Sequence, residues 1–136
     1  MAGQAEVEIA RKLFAAWSSG DVDAPAEFLT EDAVLHDIVE GNPKEGWPAI
    51  REFFGSALKI SPGVVLEPDA FWVNETGVAV RWCMSATAGD MFGPEVKGRK
   101  WHSDGMSTLE FRGGKVCREV DYHHGGAVLR SLGLAG

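Results

Sequence analysis

The sequence predicts a single α+β domain in which helices come first and strands follow. At 136 residues the chain suits one domain, 1–136, that is large enough to hold an internal cavity. Helical apolar spacing dominates the residues before Ser61, and strand-like alternation broken by short turns dominates the rest. One face of an antiparallel sheet must be covered, and the helices are available to cover it. We therefore expect a strongly curved sheet wrapped around the helices, forming a cone with an apolar interior.

The N-terminal segment supplies the first two predicted helices. Residues 4–18 form a helix that Gly20 ends, and its apolar residues have the i, i+3, i+4, i+7 spacing of one buried stripe: Ala10, Leu13, Phe14 and Trp17. A short helix is expected from Asp23 to about Leu29, because Asp23 can cap it and Pro25 suits a first turn. Together they make a helical hairpin.

The next two elements are a strand and a third helix. The β-branched and apolar run 33–39 predicts the first strand, interrupted by His36 and Asp37 and ended by the turn 41–43. From Gly46 a helix with Pro in its first turn and a helical apolar stripe continues to about residue 60.

Four further strands with short connections predict an antiparallel meander. They are expected at residues 64–74, 77–88, 98–111 and 115–123. A short helix should close the chain at 127–132.

Composition excludes several classes of function. A net charge of −7 argues against nucleic-acid binding, which depends on clustered Lys and Arg. We expect no membrane segment, because no stretch approaches 18 apolar residues, and no leader pattern begins the sequence, so the cytoplasm is the expected compartment. Cys83 and Cys117 lie within predicted strands and are interpreted as buried reduced thiols.

Three motifs resemble the nuclear transport factor 2-like superfamily. Residues 19–23 (SGDVD), 31–37 (EDAVLHD) and 46–54 (GWPAIREFF) look like its SnoaL-like and ketosteroid isomerase branches. Residues 114–116 (GKV) followed by Asp121 and Tyr122 are similar to limonene-1,2-epoxide hydrolases. The resemblance implies a cone of mixed, mostly antiparallel sheet around N-terminal helices. It leaves function open, because this superfamily holds isomerases, cyclases, hydrolases and inert binding modules.

Asp37 is the first catalytic candidate. It shares a strand face with Leu35 and Val39, so partial desolvation should raise its pKa and make it a stronger base. The resemblance matches it to the proton-shuttling Asp of ketosteroid isomerases. The alternative is an Asp at a strand end that accepts backbone hydrogen bonds.

Asp121 is the second candidate and shares its face with Glu119 and His123. The resemblance to epoxide hydrolases makes Asp121 one of two carboxylates around a water and an Arg, with Arg81 as that Arg. The second carboxylate of those enzymes falls on Cys83, so the set is incomplete unless Asp37 replaces it. If Asp37 and Asp121 approach closely, one of them should hold a proton.

The ketosteroid isomerase mechanism itself is disfavoured. The Tyr and protonated Asp of its oxyanion hole align with Leu13 and Ser107, and neither is a strong acidic donor. Steroid isomerisation is therefore not the expected reaction.

Two histidines complete the catalytic candidates. His123 shares the Asp121 face, whereas alternation turns His102 outward unless a bulge near Gly105 changes the register. A metal site is not expected, because no His-x-His or His-x-x-x-His spacing places two ligands on one face.

We therefore predict a cofactor-independent acid-base enzyme acting on a small hydrophobic carbonyl or polyketide-like compound, as a cyclase or isomerase. The alternatives are an epoxide hydrolase and a non-catalytic module that binds a small molecule. The predicted catalytic set is Asp37, Asp121, Arg81, His123 and His102. The predicted substrate-binding set is Leu35, Trp17, Phe14, Phe54, Trp101, Ser107 and Cys83.

The strand at 77–88 also predicts a partner. The resemblance places Arg81 and Cys83 in the pocket, which leaves Val78, Val80 and Trp82 on the outer face. An exposed apolar sheet face favours a homodimer formed back to back.

Overall fold

The computed structural model describes residues 2–134, and its elements follow the predicted order closely. The helices are α1 (Ala2–Trp17), α2 (Trp47–Ile60) and α3 (Gly125–Ser131), with 3₁₀ turns at Ala24–Phe28 and Asp90–Phe92. The strands are β1 (Leu29–Asp37), β2 (Lys44–Glu45), β3 (Val65–Val73), β4 (Gly77–Thr87), β5 (Lys100–Arg112) and β6 (Lys115–His123). The predicted second helix is only a 3₁₀ turn, and the two-residue β2 was not predicted.

One mixed, open sheet carries the strands in the order β2-β1-β6-β5-β4-β3. β1 runs parallel to β6, and every other pair is antiparallel. The predicted α+β fold is therefore confirmed. The register also brings distant residues together, because Asp37 on β1 and Ser107 on β5 both lie opposite Asp121.

The core lies between the helices and the inner face of the sheet. Its largest fully buried side chains include Phe14 and Leu13 of α1, Ile50 of α2 and Trp82 of β4. The indole of Trp82 is only 1% exposed. Burying this ring against the helices is worth roughly 2 to 3 kcal/mol, which fixes the orientation of β4.

The predicted orientation of β4 is wrong. Val78, Val80 and Trp82 face the core, and Arg81 and Cys83 are exposed on the opposite face. Strand alternation forces this choice, because a one-residue difference exchanges the two faces and the more apolar face takes the buried side. The predicted homodimer required an exposed Trp82 face, but Trp82 is buried within the protein, so the dimer stays an untested prediction.

Two further predictions concerned membrane-spanning segments and the two cysteines. No helix within residues 2–134 is long and apolar enough to cross a membrane. Both cysteines are free, but Cys83 is exposed and Cys117 is partly buried, so the predicted burial of Cys83 is also wrong.

Candidate active site

A small cavity lies between the inner face of the sheet and helices α1 and α2, with a volume of about 120 Å³. Its apolar walls include Trp17, Leu35, Phe53, Phe54, Trp82 and Met84. Four ionisable side chains also line it: Asp37 from β1 and Glu119, Asp121 and His123 from β6. We call these four the acid cluster. Three successive inward-facing residues of β6 therefore place polar side chains in an otherwise apolar cavity.

A larger outer cavity of about 470 Å³ adjoins the first and shares Asp37 and His123 with it. Trp101 and the 3₁₀ turn at Asp90–Phe92 help to line it, together with α3. Several exposed apolar side chains stand along its lining: Val39, Ile60, Met91 and Leu129. An apolar molecule can therefore approach the acid cluster through a largely apolar passage.

Asp37 and His123 form a largely buried ion pair. His123 Nε2 lies 2.9 Å from Asp37 Oδ1, and the backbone N–H of Val39 also donates to that oxygen at 2.9 Å. Burial opposes ionisation of Asp37, but His123 and the backbone donors outweigh it and lower its pKa. Burial likewise acts against the charged imidazole, yet Asp37 raises the pKa of His123. The expected rise in the pKa of Asp37 is therefore wrong.

Asp121 has a different environment from Asp37. Ser107 Oγ donates to Asp121 Oδ1 at 2.6 Å, and Trp82 Nε1 donates to Ser107 Oγ at 2.9 Å. Burial raises the pKa of Asp121, while hydrogen bonds from Glu119 and Ser107 act in the opposite direction. The two aspartates therefore have pKa values shifted in opposite directions, which is the pattern expected of an acid-base site.

Glu119 is the one member of the acid cluster that was not among the predicted site residues. It is 4% exposed, and Trp17 Nε1 donates to its Oε1 at 3.1 Å. Burial and the neighbouring Asp121 raise its pKa well above the ordinary carboxyl range. The available signal was the alternation Glu119-x-Asp121-x-His123, which places all three on one face.

The structure separates the predicted site residues into two groups. Six of them line the inner cavity: Asp37, Asp121, His123, Leu35, Trp17 and Phe54. Trp101 lines the outer cavity, and Ser107 donates a hydrogen bond to Asp121. Five predicted residues do not line either cavity: Arg81, His102, Cys83, Phe14 and Ser107. Phe14 is instead fully buried in the core.

The predicted catalytic roles of Arg81 and His102 are wrong for the same reason, which is that both side chains lie on the outer face of the sheet. The β4–β5 register runs unbroken from Gly77 to Thr87, so Gly105 introduces no bulge and His102 stays exposed. Arg81 is exposed as well and pairs with Asp69 at 2.8 Å on the outer face. Neither side chain can reach a molecule in the cavity.

Replacing Arg81 or His102 with Ala should consequently leave activity and ligand affinity unchanged. Loss of the exposed Arg81–Asp69 pair should cost no more than about 1 kcal/mol of folding free energy. Turnover assays and thermal unfolding of the two variants check this expectation. A large loss of turnover in a folded Arg81→Ala protein would contradict the placement of Arg81.

A family model for the SnoaL-like domain matches residues 10–119 of the chain. The chain belongs to the SnoaL-like domain family. The match includes Asp37 and ends at Glu119, so Asp121 and His123 lie just beyond it. The family assignment therefore supports the fold around the acid cluster without assigning a role to any of its members.

Solved structures similar to this SnoaL-like domain agree on the fold. A proposed polyketide cyclase from Xanthomonas campestris pv. campestris has a TM-score of 0.84 at 20% identity, over 97% of this chain and 99% of that chain. AclR, a proposed hydroxylase from Streptomyces galilaeus, has a TM-score of 0.81 at 23% identity, over 98% and 88%. A ketosteroid isomerase-like protein from Catenulispora acidiphila, in complex with trimethylamine, has a TM-score of 0.83 at 18% identity, over 93% of both chains.

Proposed function

We propose that this SnoaL-like domain is a cofactor-independent acid-base enzyme that acts on a small hydrophobic carbonyl compound, in a reaction of the cyclase or isomerase type. One observation carries the proposal. Two aspartates with oppositely shifted pKa values lie with Glu119 and His123 in a chamber whose other walls are apolar. Its similarity to a proposed polyketide cyclase is consistent with this chemistry.

Asp121 is assigned as the general base. The raised pKa of Asp121 makes its ionised form a stronger base than an exposed carboxylate. Ser107 fixes one carboxylate oxygen, which leaves the other to accept a proton from the carbon beside a substrate carbonyl. The electrons of the broken C–H bond move onto the carbonyl oxygen and produce an enolate.

His123 is assigned as the positive charge that stabilises this enolate. The ionised Asp37 keeps the pKa of His123 above its ordinary value, so the imidazolium persists beside the carbonyl oxygen as negative charge develops there. The enolate carbon can then attack a second carbonyl of the same molecule, which forms a ring, and the alkoxide produced takes up the proton that Asp121 removed. In an isomerisation, Asp121 instead returns the proton to a different carbon.

The cavities indicate an uncharged substrate. No Lys or Arg among the described residues lines either cavity, so a carboxylate group would find no basic partner other than His123. The inner volume of about 120 Å³ is below the roughly 150 Å³ cavity that holds benzene, so it suits only the reacting end. The outer cavity, at about 470 Å³, lies in the range of ordinary ligand pockets and can hold the rest.

The epoxide hydrolase alternative is weakened by Arg81, which lies outside the cavity and cannot complete the required set of two carboxylates and an Arg. A binding module without catalysis remains the competing outcome of the following test.

Exchange of carbon-bound protons with solvent tests the proposal. The probe is 2-tetralone, a two-ring ketone. The protons on the carbon between its carbonyl group and its aromatic ring are made more acidic by both of these groups. In D₂O the protein should accelerate deuterium incorporation at that position, followed by proton NMR. Binding of 2-tetralone without any acceleration over buffer would support the non-catalytic module instead.

The exchange rate should also have a bell-shaped pH dependence. The acidic limb reflects protonation of Asp121 and should lie above the ordinary Asp pKa of about 3.9, because burial raises it. The basic limb reflects loss of the His123 proton and should lie above the ordinary His pKa of about 6.5. A rate that keeps rising with pH above this range would contradict the role of His123.

A further inference from the structure

Glu119 is buried in the wall of the inner cavity, and none of the salt bridges within residues 2–134 involves it. Its cross-strand neighbours, Leu35 on β1 and Leu109 on β5, are buried and apolar. From α1 it receives only the neutral N–H of Trp17. A carboxylate buried in this way without a counter-charge costs several kcal/mol, so the neutral acid is the favoured form.

A neutral carboxylic acid that is buried needs an acceptor for its O–H, and Asp121 supplies one. The two side chains are two residues apart on the same face of β6, and both line the inner cavity. Two neighbouring carboxyl groups in an apolar site cannot both ionise cheaply, so a single proton is shared between them.

The surroundings decide which carboxyl group keeps that proton. Asp121 receives the Ser107 hydroxyl at 2.6 Å, and this hydroxyl is itself oriented by the indole N–H of Trp82. Two charged groups lie nearby: ionised Asp37 opposes negative charge on both Asp121 and Glu119, whereas the imidazolium of His123 favours the ionised form of Asp121. Within the described part of the chain the one hydrogen-bond donor to Glu119 is the indole N–H of Trp17, so the negative charge is better stabilised on Asp121.

We propose that Glu119 is a positioning residue: it stays a neutral acid, donates its proton as a hydrogen bond to the Asp121 carboxylate, and thereby orients that base and limits its basicity. The catalytic consequence rests on the proposed function, since it requires Asp121 to be the base. The protonation of Glu119 itself does not depend on the proposed function. The pKa of Glu119, raised by burial and by Asp121, agrees with this assignment.

Infrared spectroscopy tests the protonation without any substrate. Near neutral pH the native protein should have a C=O stretching band of a protonated carboxyl group. The band should be lost in Glu119→Gln and kept in Asp121→Asn and in Glu67→Gln, a control at an exposed carboxylate. Absence of the band, or its loss only in Asp121→Asn, would overturn the proposal whether or not any turnover is found.

Rescue by a conservative variant tests the positioning role. A Gln at position 119 can still accept from Trp17 and donate to Asp121, so deuterium exchange into 2-tetralone should stay within about threefold of the native rate. Because the amide is a weaker donor, the acidic limb should move to higher pH. Glu119→Leu leaves Asp121 without that donor and should slow exchange by about tenfold or more. Equal losses in the Gln and Leu variants would overturn the role.

If the infrared band is present but the native protein does not accelerate exchange, the proposed function fails while Glu119 remains a neutral partner of Asp121. The two failures are therefore distinguishable.

Discussion

The Asp121→Asn protein should exchange the activated protons of 2-tetralone about 100- to 10,000-fold more slowly than the native protein, which is the range that a positioned general base contributes. Asn keeps the size of the side chain and can still accept from Ser107, but it has no basic oxygen of comparable strength. Proton NMR in D₂O measures the rate, and the dissociation constant for 2-tetralone should change much less.

The matched control is Asp69→Asn, which removes an exposed carboxylate from the outer face of the sheet. It should behave like the native protein in both measurements. Unchanged exchange in a folded Asp121→Asn protein would remove Asp121 from the mechanism, and Asp37 would have to be reconsidered as the base.

Trp82→Ala should be the most destabilising of the single substitutions considered, with a loss of about 3 to 5 kcal/mol of unfolding free energy. The indole is almost fully buried, packs in the core and donates to Ser107, so its removal leaves a cavity and takes away the donor to the Ser107 oxygen. Denaturant unfolding measures the loss. The control Trp72→Ala removes an indole that is 51% exposed and should cost far less.

Trp82→Phe separates packing from hydrogen bonding at this position. The ring remains, so the protein should stay folded, but Ser107 loses the donor that orients it toward Asp121. We expect slower exchange of 2-tetralone with a smaller loss of stability. A Trp82→Ala protein as stable as the native one would contradict the inward orientation of β4.

The helices and strands were largely predictable from the sequence, because their apolar spacing and turn residues are local signals. The orientation of β4 was not. The residues Val78, Val80 and Trp82 already formed the more apolar face, but the resemblance to epoxide hydrolases placed Arg81 in the pocket and this choice inverted the strand. In the folded chain the favourable burial of Trp82 determines which face of β4 points inward.

The acid cluster was predictable only in part. Alternation along β6 placed Glu119, Asp121 and His123 on one face, and that arrangement is found. The contact between His123 and Asp37 joins residues separated by 86 positions and depends on parallel pairing of β1 with β6. Local patterns do not encode that pairing, so the lowering of the pKa of Asp37 by His123 could not be predicted from them.

A crystal structure with bound 2-tetralone tests the central claim most directly, namely that one cavity brings the acid cluster to a hydrophobic carbonyl compound. We predict that the activated carbon lies about 3 to 3.5 Å from an oxygen of Asp121, with the carbonyl oxygen toward His123. Electron density for the ketone elsewhere, such as the surface groove beside Trp72 and Asn74, with the acid cluster unoccupied, would contradict the account.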